Sequence, residues 1–132
     1  MKAMCIENDI TKCDSRDLAR ALSSSINIQC FDELSIGEGY DVLAIEQRQD
    51  DVWLYLDVDG LPYPSPYPAE LFRLSDPSIP EGWSVSIKVR DGVPYIYRLS
   101  FSAWADDDEF YEKLINDDDA ALAALKRQTE SH

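Results

Sequence analysis

The sequence predicts an α+β fold, a small, strongly bent antiparallel sheet with one helix before it and two after it. Three observations carry this expectation. Branched and aromatic residues alternate with polar ones between Tyr40 and Phe101. The turn dipeptides Asp59-Gly60 and Asp91-Gly92 punctuate that stretch. Helical spacing of apolar residues is confined to the two ends. With 132 residues, 45% hydrophobic content and three tryptophans, the chain suits one domain whose core needs no staples. Within that single domain, 1–132, the expected parts are a helix and arm at 1–33, a β core at 34–102 and helices at 103–132.

In chain order, Asp14-Ser-Arg-Asp-Leu-Ala-Arg-Ala-Leu22 opens with capping residues and puts Leu18, Ala21 and Leu22 on one face, predicting a short helix from 15 to 24. Ile26, Ile28 and Cys30 alternate with polar neighbours, as in a brief strand or extended arm. The glycines of Ile36-Gly-Glu-Gly-Tyr40 turn the chain into Val42-Leu-Ala-Ile45. The polar run Glu46-Gln-Arg-Gln-Asp-Asp51 then leads to Val52-Trp-Leu-Tyr-Leu-Asp-Val58, a hairpin. After Pro80-Glu-Gly82, the residues Trp83, Val85, Ile87 and Val89 share one face of a clean alternation, and Pro94 to Phe101 returns. Strands are expected near 40–46, 52–58, 67–73, 83–90 and 94–102. The first late helix should start near Asp106, with Glu109 completing a capping box. The second should start at Asp117-Asp-Asp119 and end at Lys126 and Arg127, its charges complementing the helix dipole.

Pro62, Pro64, Pro66 and Pro68 stand two apart. A polyproline ligand repeats every three residues, whereas two is the strand period. Prolines at this spacing delete donors from one side of an extended segment only, which predicts a sheet edge blunted against pairing. Tyr63 and Tyr67, set between them, make the same segment a candidate contact surface.

The net charge of −14 is unevenly spread. Residues 1–20 balance at four acids and four bases, and residues 61–100 do the same. Residues 21–60 hold nine acids against Arg48, and residues 101–132 hold nine against Lys113, Lys126 and Arg127. Such a field repels nucleic acid and anionic membranes and attracts basic proteins. No apolar run approaches the roughly 18 residues of a membrane span, and Met1–Ile10 lacks a signal peptide's apolar stretch, so a cytoplasmic protein is expected. Cys5, Cys13 and Cys30 form no CxxC pair and His132 is the only histidine, which predicts reduced thiols, no metal site and no cofactor.

Asp57-Val-Asp-Gly60 superficially matches a calcium loop, but the twelfth position, which needs a glutamate, is Pro68. A turn after a strand is the better reading. Any one acid of Asp106–Glu109 or Asp117–Asp119 reads as a helix cap or a solvated charge. Together these turns hold seven acids, more than caps use, and a basic partner would offset their repulsion. Arg73, Lys88, Arg90 and Arg98 form no phosphate-binding motif, and Trp53, Trp83 and Trp104 read as core.

The run Leu34-Ser-Ile-Gly-Glu-Gly-Tyr-Asp-Val-Leu-Ala-Ile45, then Trp53, Asp57 and Tyr67-Pro-Ala-Glu-Leu-Phe72, resembles a group of small bacterial immunity-like proteins of polymorphic toxin systems. Trp104 and the acidic helix after it fit the same pattern. The resemblance covers about two-thirds of the chain and implies an SH3-like partial barrel. It brings no catalytic residues. It implies a non-enzymatic inhibitor that neutralises a cognate protein toxin, acids meeting a basic cleft such as a nuclease presents. The candidate partner-binding residues are Asp57, Asp59, Tyr63 and Tyr67, with Asp106, Asp107, Asp108, Glu109, Asp117, Asp118 and Asp119. Two alternatives stay open: an acidic DNA mimic of phage or plasmid origin, with acids strung along one face, and a small enzyme enclosing two carboxylates in a deep pocket. The sequence leaves the oligomeric state open, although the prolines argue against their own edge serving for dimerisation.

Overall fold

The computed structural model describes residues 1–9, 31–48 and 50–130. Among these, seven strands form one antiparallel sheet: β1 (Lys2–Cys5), β2 (Gly39–Arg48), β3 (Asp51–Asp57), β4 (Ser65–Pro68), β5 (Phe72–Asp76), β6 (Trp83–Arg90) and β7 (Val93–Phe101). The plan of the sheet is set by β2. One side of it pairs with β3 along its length. The other side meets β1 at Gly39–Asp41 and β7 at Ala44–Arg48, so the sheet forks.

A bulge sits at the fork. Val42 stands opposite Leu56 and Ala44 opposite Tyr55, which leaves Leu43 without a register partner on β3. An extra residue of this kind turns two consecutive side chains to the same face. Val42 accordingly joins the first of two cores, and Leu43 and Ala44 both join the second.

The first core gathers Ala3, Cys5, Val42, Leu54, Leu56, Tyr67 and Phe72 from the strands, covered by Phe31, Leu34, Val58 and Leu71. The Cys5 thiol is free and buried, which pushes its pKa up. Cys13 and Cys30 lie outside the described residues. The second core lies on the opposite face, where Leu43, Ala44, Tyr55 and Phe101 meet three short helices: α1 (Ser102–Ala105), α2 (Phe110–Ile115) and α3 (Asp119–Glu130). None is long enough to hold its shape alone in water. An aromatic cluster holds them. The Trp104 ring is fully buried, edge-on to Tyr55 at 5.0 Å, 5.4 Å from Phe110 and stacked on Tyr111 at 5.9 Å.

Several expectations are corrected. The sheet is open and not an SH3-like partial barrel: the order runs β4-β3-β2-β1-β5, with β7 and β6 branching from β2. The fork sends its two arms apart, and among the described residues no strand returns to pair with β4. The first element is the strand β1, inserted between β2 and β5, where the N-terminal part was expected to lead with a helix. The helix expected at 15–24 and the arm at 26–30 lie outside the described residues. The strand expected at 67–73 is interrupted by a 3-10 turn, Ala69–Leu71, because β4 pairs with β3 while β5 pairs with β1.

Three helices follow the sheet where two were expected, since α1 begins as soon as β7 ends. The capping box at Asp106 and Glu109 does not form. Asp106 already terminates α1, and α2 starts at Phe110 with no side-chain cap.

The strands at 83–90 and 94–102 are present within a residue, and both residues of their Asp91-Gly92 turn have positive φ (53° and 79°), as a tight two-residue hairpin requires. The proline segment forms the terminal strand β4. Only Ser65 and Tyr67 there carry an N–H, so the ladder donors to β3 come from these two.

Candidate functional site

Charge accumulates where β2 begins and β3 ends. Asp41 and Asp57 are direct register partners across these strands. Asp59 follows in a turn closed by the Leu61 N–H donating to the Val58 carbonyl at 3.1 Å, with Gly60 at φ 89°. The segment 31–38 closes the other side. Buried Phe31 and Leu34 pin it to the first core. Backbone bonds from Cys5 N–H to the Glu38 carbonyl (2.9 Å) and from Gly37 N–H to the Cys5 carbonyl (2.8 Å) tie it to β1. The Tyr40 hydroxyl accepts from the Ser35 N–H at 2.9 Å.

The result is an open depression of about 390 Å³ edged by Glu33, Glu38, Asp41, Asp57 and Asp59. Among its lining residues only Lys2 is basic, 3.8 Å from Asp41. Five acids against one base leave a local charge of −4. Partial burial, then the neighbouring Asp41 and Asp59, raise the Asp57 pKa above the usual carboxylate value. These acids repel one another, and the fold holds them together nonetheless. A second depression of about 220 Å³ is lined by Trp53 and Pro68 with Asp50, Asp51 and Glu70.

The acids of 106–119 line neither depression. Three have work within the fold. Asp107 accepts from Lys113 Nζ at 2.7 Å and from the Glu109 N–H at 3.0 Å, and the lysine bond holds its pKa low. Asp108 lies 3.5 Å from both Lys88 and Arg98. Asp118 caps α3 by accepting from the Ala121 N–H at 3.0 Å. Asp117 takes the left-handed conformation (φ 57°) that closes α2. Asp106, Glu109 and Asp119 are exposed.

The two tyrosines sit elsewhere than at a surface site. Tyr67 is buried in the first core, its hydroxyl donating to Glu33 at 3.0 Å, and burial followed by this bond raises its pKa. Tyr63 is half-buried, edge-on to Tyr111 at 6.2 Å, whose own phenol burial pushes up to about 12. Sequence reasoning missed Glu33, Glu38, Asp41 and Tyr40. Only the strand register, with Asp41 opposite Asp57, could have joined them to the site.

Sequence reasoning also missed a buried ion pair. Glu46 and Arg98 are only 1% and 6% exposed, register partners on β2 and β7, with Nε 2.8 Å from Oε2. The other Glu46 oxygen accepts from Arg48. With both oxygens held by guanidinium groups, Glu46 acts as a bracket between strands, and through Asp108 the bracket reaches the turn before α2. Among the described residues no three His, Cys, Asp or Glu side chains group to hold a metal ion, and no helix is long and apolar enough to cross a membrane. Comparison with protein-family models, with curated proteins and with solved structures finds no match.

Proposed function

We propose that the protein is a non-enzymatic inhibitor that binds a basic protein, the cognate toxin of an immunity-like pair, through the depression at Asp41, Asp57 and Asp59. The observation that carries this reading is the assembly of five carboxylates and one lysine around one concavity. A lysine or arginine from the partner would enter it, relieve the repulsion that adds to burial in raising the Asp57 pKa, and form charge-assisted bonds. The Trp53 depression, an aromatic wall with three acids, suits a second basic side chain by the same logic. The acidic field would speed encounter before contact. Tyr40 replaces Tyr63 and Tyr67 as the aromatic at the contact, and the exposed Asp106, Glu109 and Asp119 contribute at longer range.

A DNA mimic would string its acids along one face. Here Asp107, Asp108 and Asp118 are bound to Lys113, to Lys88 and Arg98, and to a helix cap, which interrupts such a string.

The test is binding to the product of the neighbouring open reading frame at low and high salt. Affinity should fall steeply with salt, and the triple change Asp41→Asn, Asp57→Asn, Asp59→Asn should weaken it by about 100-fold or more. Binding indifferent to salt would remove the electrostatic mechanism, and no binding would remove the partner.

A further inference from the structure

The depression beside Trp53 differs in kind from the one at Asp57. Trp53 on β3 and Pro68 on β4 are register partners, so their rings share a face and form an apolar wall. Ala69 extends the wall, and the 3-10 turn it opens carries Glu70 to the rim. Asp50 and Asp51, at the turn end of the β2–β3 hairpin, complete that rim. The cavity measures about 220 Å³, and its described lining holds three acids and no base. Among the described residues no ion pair engages these acids, and Arg48, the register partner of Asp51, is bonded to Glu46 instead. The neighbouring edge narrows the choice of occupant. In an antiparallel strand the N–H and C=O of one residue point to the same side. Ser65 and Tyr67 turn theirs to β3, so Pro66 turns a carbonyl, and no N–H, to the outer edge. An incoming strand pairs poorly with such an edge, which leaves a side chain as the group that enters.

We propose that this depression is an arginine subsite, the guanidinium stacking on Trp53 while Asp51 and Glu70 accept its N–H groups. The proposal deepens the reading above, resting on it for a basic partner and naming the side chain. Charge complementarity calls for a cation, and three properties choose arginine over lysine. The guanidinium is planar and stacks on an indole face. Its five donors fan out to more than one carboxylate. It is also more weakly hydrated than an ammonium, so it gives up less water on meeting an apolar wall. The Asp57 depression, edged by five carboxylates and the hydroxyl residues Ser35 and Tyr40, offers the polar lining that an ammonium suits. The two depressions lie toward opposite ends of β3, with Trp53 and Asp57 about 13 Å apart along the strand. Two basic side chains of one partner segment can therefore fill both at once.

Nuclear magnetic resonance of the isotope-labelled full chain tests it, with acetyl-arginine amide added to about 50 mM. The reporter is the Trp53 indole N–H, identified by its loss in Trp53→Phe. A saturable shift with a Kd of about 1–10 mM is expected. Acetyl-lysine amide and tetramethylammonium should bind about fivefold more weakly or less. The double change Asp51→Asn, Glu70→Gln should weaken arginine by about fivefold or more with an unchanged circular-dichroism spectrum. Trp53→Leu keeps apolar bulk without the stacking face, and the amides of Asp51 and Glu70 should then lose their response to arginine. An indole unmoved by arginine, an equal response to lysine or tetramethylammonium, or a response that both folded variants retain overturns the proposal. The probes contain no toxin, so the two readings fail separately. A toxin that does not bind leaves these shifts standing, and a toxin that binds does not rescue a silent Trp53.

Discussion

Two acid-rich regions of this protein use the same residue type to opposite ends. Around the depression, burial and like-charge neighbours raise the pKa of Asp57. Beside α2, a bond from Lys113 lowers that of Asp107. Ionised Asp57 costs the fold stability, and ionised Asp107 stabilises it. The difference teaches that acid density alone says little about role. What matters is whether each carboxylate has a donor from within the chain: in the depression Glu33 has the Tyr67 hydroxyl and Asp41 has Lys2 at 3.8 Å, while Asp57 sits between like charges. An acid left without an internal donor is available to an external one.

Neutralising single groups should therefore move stability in opposite directions. The largest effect is expected at the bracket behind the second region. Glu46→Ala strands buried Arg98 and should cost about 3–5 kcal/mol by denaturant unfolding, while joint replacement of Glu46 and Arg98 by apolar residues should recover most of it. Next, Asp118→Ala removes the cap of α3 and should cost about 1 kcal/mol, a loss of a few degrees in melting temperature. A smaller loss, about 0.5 kcal/mol or less, is expected for Asp107→Asn, whose ion pair is partly solvated. The Asp107 pKa is depressed by folding, so this contribution is present at neutral pH and fades as pH falls through the folded value.

Asp57→Asn should do the reverse, raising the melting temperature slightly at pH 7. Its folded pKa is raised, so the wild type loses stability as pH rises through it, and the gain from the change should vanish below the ordinary carboxylate value of about 3.9. A loss of stability at neutral pH in Asp57→Asn would erase the contrast between the regions.

Much of the sheet was legible in the sequence. Alternation and the Asp-Gly turns mark β2, β3, β6 and β7 to within two residues, and the two-residue proline spacing marks β4 as an edge. The rest depends on contacts distant in sequence. Lys2–Cys5 is too short to announce itself and becomes a strand only between β2 and β5. The run Val42-Leu-Ala-Ile45 is apolar throughout, so nothing local betrays the bulge that sits at the fork. Alternation also says which residues share a face but not which face is covered. Val85, Ile87 and Val89 share one as expected, yet the helices lie against the other. For the site, Asp57 and Asp59 were legible as acids in a turn, while Glu33, Glu38 and Asp41 join them only through folding. Tyr67 shows the same limit. The prolines announce the edge but not that its tyrosine turns into the core.

The unmatched leucine at position 43 behaves like a frameshift written into shape rather than code. Upstream of it, odd and even positions of β2 are assigned to the two layers in one sense, and downstream in the other. Removing that single residue would set Val42 and Ala44 side by side in plain alternation, opposite the already adjacent Leu56 and Tyr55, and Glu46 would keep its place beside Arg98. The extra position therefore adds one more buried side chain to the layer beneath the helices without governing any distal pairing, so its loss should cost that leucine's packing and spare the ion pair.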